Sequence, residues 1–350
     1  MKAEAKLSEG AITAISSSVN MDDLRQALKK RPSVVFIGNR NCGKSAILNE
    51  LLGGSYLPVH EMPCTSRIVK IRHSVSENTV RVVDKAGEEV QPLTTFTKKV
   101  PAEYVVVCDQ GRDQSEQLKC TVEITLNHPF LKSGIELIDS PGKNENDALD
   151  DVVDTFFEKG TTPLVVYVID GSNELRTSDR DTIRFLQDKY PQLSFMFLCN
   201  KVDTSTGAEK FDTRSSDELD SDDEAETPTK VDKQKIVFSQ LQRHGFIADS
   251  ESVDTCSSFY GISAQNVRED RRNKTCSRAT EIFSKFEDGL LSILEETVKR
   301  QAQQVVSKLI FLQMSLVHAM NRTKQSLPIY LEVRWNLTPL KVLRNLYLRC

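Results

Sequence analysis

The run Gly38-Asn39-Arg40-Asn41-Cys42-Gly43-Lys44-Ser45 fits the pattern G-x-x-x-x-G-K-[ST]. A backbone that curls at its glycines turns successive N–H groups inward, where they can wrap a chain of phosphates. A helix starting at the end of the run adds its positive N-terminal pole. Lys44 then offers a point charge to the outer phosphates, and Ser45 offers a hydroxyl to Mg2+. These residues imply a nucleoside triphosphate and say nothing of its base.

Later groups complete such a site. Asp139-Ser140-Pro141-Gly142 follows an apolar run, so Asp139 can hold Mg2+ through a water while the Gly142 N–H senses the γ-phosphate. Asn200-Lys201-Val202-Asp203 follows another apolar run. The Asp203 carboxylate can accept from guanine N1–H and from the guanine amino group, a pair that adenine does not offer. The stem of Lys201 can lie along the base, and Asn200 can brace the loop. Ser263-Ala264 has two readings, a backbone donor to guanine O6 or an ordinary strand end. Between the first and second groups lies Pro63-Cys64-Thr65-Ser66-Arg67. A mobile loop here must supply a hydroxyl to Mg2+ and an N–H to the γ-phosphate. Thr65 is the candidate, with Ser66 as the alternative.

The elements that must position these residues are legible from the apolar pattern. Ser33 to Ile37 reads as a buried strand ending in glycine. Further strands are expected at Ile68 to Ile71, Val80 to Val83, Cys120 to Leu126, Ile135 to Ile138, Leu164 to Ile169, Phe195 to Cys199 and Phe259 to Ile262. Helical patterns at Ala46 to Leu52, Leu149 to Glu158, Ser178 to Lys189 and Lys233 to His244 separate many of them. Such alternation predicts an α/β fold, a mostly parallel sheet with helices on both faces. Asp84 to Leu118 is polar and irregular apart from Tyr104 to Val107, and reads as an insertion. The acidic stretch 204–229 buries little and repels itself, so it reads as a disordered surface loop.

Met21 to Lys30 reads as a short helix. From about Thr280, Leu290, Leu294, Val298, Val305, Leu309, Leu312 and Leu316 fall mostly three, four or seven apart. That spacing predicts one long amphipathic, coiled-coil-like helix to about Lys324, stopped by Pro328. The expected organisation is a tail and bundle helix over 1–32, a nucleotide-binding domain over 33–279, a stalk-like helix over 280–327 and a C-terminal tail over 328–350.

Composition narrows the class. Of the 350 residues, 39% are hydrophobic and 27% charged, as in an ordinary soluble protein. A net charge of -4 gives no basic field for nucleic acid. The first residues lack the apolar core of a signal peptide, and Leu309 to Met320 is interrupted by Gln313. The eight cysteines form no C-x-x-C pair and read as reduced cytoplasmic thiols.

In order along the chain, these groups resemble the dynamin superfamily, above all its mitofusin and bacterial dynamin-like branch. The resemblance is carried by Gly38 to Ser45, by Asn49-Glu50-Leu51-Leu52-Gly53 running to Leu57-Pro58, by Pro63-Cys64-Thr65, by Leu131 to Gly142 and by Asn200 to Asp203. The long gap between Thr65 and Asp139 fits the large GTPases better than the small ones. The resemblance implies a P-loop G domain beside a helical bundle, Mg2+-dependent hydrolysis of GTP to GDP, and dimerisation of two copies across the nucleotide face. It also implies a cytoplasmic location, with peripheral membrane attachment through parts outside this chain. Members often place a catalytic polar or arginine residue mid-cradle. Arg40 is therefore either a charge for the transferring phosphate or a surface arginine, and Cys42 either a redox-sensitive thiol or a small filler. A weaker likeness, on Gln240-Leu241 and Gly245-Phe246, is to the non-kinase N-terminal region of the dual serine/threonine and tyrosine protein kinase. No H-R-D or D-F-G is present.

Two functions remain open at this point, a GTPase and a GTP-binding regulatory scaffold with little turnover. A P-loop ATPase is disfavoured by Asn200 to Asp203.

Overall fold

A computed structural model describes residues 31–59, 67–106, 120–142, 163–202 and 233–324, the side chains of 301, 304, 312 and 315–324 excepted. Among the described residues the order is β1 (Ser33–Ile37), α1 (Lys44–Leu51), β2 (Ile68–His73), β3 (Thr79–Val83), β4 (Glu89–Thr95), α2 (Ala102–Val105) and β5 (Thr121–Leu126). There follow β6 (Glu136–Asp139), β7 (Leu164–Asp170), α3 (Thr177–Lys189), β8 (Ser194–Asn200), α4 (Lys233–Arg243), β9 (Phe259–Ile262), α5 (Ala264–Asn273) and α6 (Arg278–Lys324). The expected helices at Met21 to Lys30 and Leu149 to Glu158, the acidic stretch 204–229 and Pro328 lie outside the described residues.

All the strands join one sheet in the order β4-β3-β5-β2-β6-β1-β7-β8-β9. From β6 to β9 every neighbouring pair is parallel. Antiparallel pairing is confined to β2 with β6 and to β3 with β4 and β5. The mostly parallel α/β sheet is therefore as expected. β1 is buried at every residue, which is why it reads as an unbroken apolar run rather than an alternating one. One parity of the central strands (Val35, Ile37, Val165, Tyr167, Ile169) packs with Ile183 and Leu186 of α3 and with Val237, Phe238 and Leu241 of α4. The other parity, including Val34, Phe36, Val166 and Val168, is buried on the opposite face.

Two elements differ from the sequence reading. The segment after Asp84 is not irregular throughout, because Glu89–Thr95 forms β4 at the edge of the sheet. An edge strand needs a partner on one side only and tolerates Pro92, so it leaves no apolar signature. Tyr104 and Val105 fall in the single turn of α2, where the Tyr104 hydroxyl bonds Thr94 Oγ1 at 2.7 Å and Pro92 O at 3.2 Å. The second difference is α5, whose buried positions are only Ala264 and Val267. Two apolar residues in ten make too thin a stripe to read as a helix.

The chain divides into two units, 33–293 and 1–32 with 294–350. The unit holding the sheet includes the start of α6. There Phe283 and Phe286 are fully buried, and Phe286 stands edge-on to Tyr260 at 5.8 Å between ring centres. In the other unit α6 continues to Lys324, with Leu309, Ile310, Phe311 and Met314 exposed. Among the described residues no helix is long and apolar enough to cross a membrane.

Candidate nucleotide-binding site

The parallel register sets where the site can form. It places Phe36 beside Asp139, Asp170 beside Asn200, and Asn200 beside Ile262. The loops after β1, β6, β7, β8 and β9 therefore emerge together at the carboxyl edge of the sheet, where open α/β folds hold ligands.

The loop after β1 is shaped by its own residues. Gly43 caps α1 with φ 99°, and its missing side chain is required twice over. The left-handed backbone disfavours a Cβ, and a Cβ there would lie 2.2 Å from Asn200 Nδ2. Lys44 is buried, and its ammonium donates to the carbonyls of Gly38 and Asn39, each at 3.0 Å. Both bonds hold the positive charge inside the curl of residues 38–43. Ser45, one residue into the helix, donates its hydroxyl to Asp139 Oδ2 at 2.5 Å. Asp139 is wholly buried at the end of β6.

The loop after β6 then presses against the first loop. A Cβ on Gly142 would sit 2.8 Å from Arg40 Cα, so only glycine permits this approach. Arg40 and Asn41 are exposed. Cys42 is 1% exposed, and burial pushes its thiol above the ordinary value although Lys44 opposes the shift. An inaccessible thiol whose charged form is disfavoured is poorly reactive, which favours the filler reading of Cys42 over the redox one. Native-state alkylation followed by peptide mapping should modify Cys276, which is exposed, and spare Cys42, Cys120, Cys199 and Cys256, which are buried. Rapid modification of Cys42 would show that the loop is open.

Asn200, the last residue of β8, joins three loops. Its Nδ2 donates to Cys42 O at 2.9 Å, and its Oδ1 accepts from Ala264 N at 3.2 Å. The Ala264 N–H thus donates to Asn200, while the Ser263 hydroxyl caps α5 by accepting from Asn266 N at 3.1 Å. Lys201 has a left-handed backbone, φ 64°, and its ammonium pairs with Asp170 Oδ2 at 2.9 Å. Burial alone would raise the Asp170 carboxyl. Hydrogen bonds from Ser172 and Lys201 outweigh it and hold the carboxyl below its usual range. Thr65 and Asp203 lie outside the described residues, as do Ser66 and the rest of 60–66 and 203–232.

Sequence reasoning missed Asp170 and Asp179. Asp170 ends an apolar strand and could have been noticed there. Asp179, in the first turn of α3, reads as an ordinary helix-start carboxylate. In the structure it is buried and accepts from Asn39 Nδ2 at 2.8 Å and from the Tyr167 hydroxyl at 2.9 Å.

A family model described as the dynamin family matches residues 34–202, the span that runs from β1 through the Asn200 loop. Over those residues the chain is similar to the dynamin family. A bacterial dynamin-like protein of Nostoc punctiforme is 22% identical over 289 residues, 80% of this chain and 40% of that protein. A dual serine/threonine and tyrosine protein kinase of Apis mellifera is 22% identical over 267 residues, 70% of this chain and 26% of that one. The fold also matches a solved structure of an oligomerised bacterial dynamin pair, with a TM-score of 0.57 and 15% identity over 91% of this chain and 47% of that one. The chain thus spans less than half the length of each of these relatives.

Proposed function

We propose that this dynamin-type G domain binds GTP with Mg2+ and hydrolyses it to GDP and phosphate, and that a second copy of the chain completes the reacting face. The observation that carries the reading is the meeting of the loops at one sheet edge, already tied together by Ser45–Asp139 and by Asn200. The N–H groups of Gly38, Asn39, Arg40, Asn41, Cys42 and Gly43, with the N-terminus of α1, wrap the phosphates. Lys44 neutralises the outer phosphates, Gly142 contacts the γ-phosphate, and Asp203 reads guanine while Lys201 lies along the base.

The Ser45 hydroxyl at the start of α1 and the Asp139 carboxylate at the end of β6 are adjacent hard oxygen donors, a set that suits Mg2+. Thr65 would add a third oxygen. An ion held by these residues would supply positive charge to offset that developing on the phosphate oxygens. Water is the nucleophile, and the residues act by positioning and by neutralising charge. Exposed Arg40, at the rim where two copies would meet, stabilises the transferring phosphate. Attachment to a membrane would be peripheral.

If a second copy completes the site, phosphate release per molecule rises with protein concentration. A rate that stays constant over a wide range counts against the dimer. Tight GTP binding without release at any concentration would instead mark a regulatory scaffold.

A further inference from the structure

The phosphate loop is pinned at two places by side-chain amides. Asn200 holds its second half through Cys42 O. Its first half is held by Asn39, whose side chain turns away from the curl and donates to Ser178 Oγ at 3.0 Å and to Asp179 Oδ1 at 2.8 Å. Asp179 is 3% exposed, and the same Oδ1 accepts from Tyr167, a fully buried residue of β7. A buried carboxylate is costly unless its oxygens are well paired, so its place here calls for a reason. The reason lies on the other side of Asn39, whose backbone carbonyl receives one of the Lys44 ammonium bonds at 3.0 Å. One residue thus links Asp179 to the charge that faces the phosphates.

We infer that Asp179 is a positioning residue of the phosphate loop, which holds Asn39 against α3 and β7 and so keeps the loop and Lys44 aligned on a triphosphate. The inference rests on the nucleotide reading above and adds a residue to it. Asp179 acts through Asn39 and touches no ligand itself. Tyr167 fixes the carboxylate from behind, so the aim of Asn39 is set by the sheet rather than by the loop.

The test is a double-mutant cycle read by the affinity of the whole chain for a fluorescent, non-hydrolysable GTP analogue with Mg2+. Asp179→Ala and Asn39→Ala should each weaken binding about tenfold, the scale of a hydrogen bond to a charged group. The double variant should be no worse than the weaker single one, because both cut one link. Asp179→Asn keeps Oδ1 as an acceptor for both donors and should restore affinity close to the parent chain. A purely structural role for Asp179 predicts additive losses and no dependence on Asn39. Additive losses, or parent-like affinity in Asp179→Ala, overturn the inference. Should Asp179→Ala fail to fold, Asn39→Ala cuts the same link from the loop side, and parent-like affinity there overturns it equally. Lys44→Ala separates the two levels. If it loses the analogue while Asp179→Ala keeps it, positioning alone is wrong. If the parent chain does not bind the analogue, the nucleotide reading fails and this inference with it.

Discussion

Lys44→Ala should lose binding of GTP almost completely while the protein stays folded. The ammonium is held within the curl of the loop by the carbonyls of Gly38 and Asn39, with Cys42 Sγ at 3.8 Å. Charge-assisted hydrogen bonds contribute about 1.5–3 kcal/mol each. Losing two of them to the outer phosphates corresponds to a fall in affinity of at least about a hundredfold. The loop itself keeps its anchors, Asn39 on Asp179 and Asn200 on Cys42, so the thermal transition should move little. Equilibrium titration with a fluorescent GTP analogue checks the first statement and a melting curve the second. Near-parental affinity would show that the cradle is misassigned, and an unfolded variant would show that Lys44 is structural.

Asp203→Asn should turn the base preference from guanine to xanthine. An ionised carboxylate accepts both from the guanine N1–H and from the exocyclic amino group. Xanthine carries an oxygen where guanine carries that amino group. An asparagine amide accepts from N1–H and donates to that oxygen, whereas the parent carboxylate would face it with an unmatched lone pair. A polar group left unpaired in a desolvated pocket costs about 1–3 kcal/mol, and more when charged, so the preference should change by at least about tenfold. Competition between GTP and XTP on the parent and variant proteins reads this directly. A variant that loses both nucleotides, or still prefers GTP, removes Asp203 as the base reader.

The central sheet was legible because its strands are buried on both faces. Runs such as Leu164 to Ile169 and Phe259 to Ile262 can be little else. The cradle was legible because glycine, lysine and serine are each demanded by a separate requirement of phosphate binding. What was not legible depends on tertiary placement. Edge strand β4 presents mostly exposed residues and a proline, and α5 carries a thin apolar stripe. The second role of Asn200, accepting from Ala264 N, appears only when β8 and β9 are adjacent. Asp179 is the sharpest case, since nothing in Thr177-Ser178-Asp179-Arg180 says that its carboxylate is buried under the phosphate loop.

The central claim is that these converging loops form a guanine-specific GTPase site. The most direct measurement is phosphate release by the purified chain with Mg2+, run in parallel with GTP, with ATP, and with GTP on Lys44→Ala. The account predicts release from GTP alone, lost in the variant and on chelation of the metal. Equal release from ATP, or release that persists in Lys44→Ala, would contradict it.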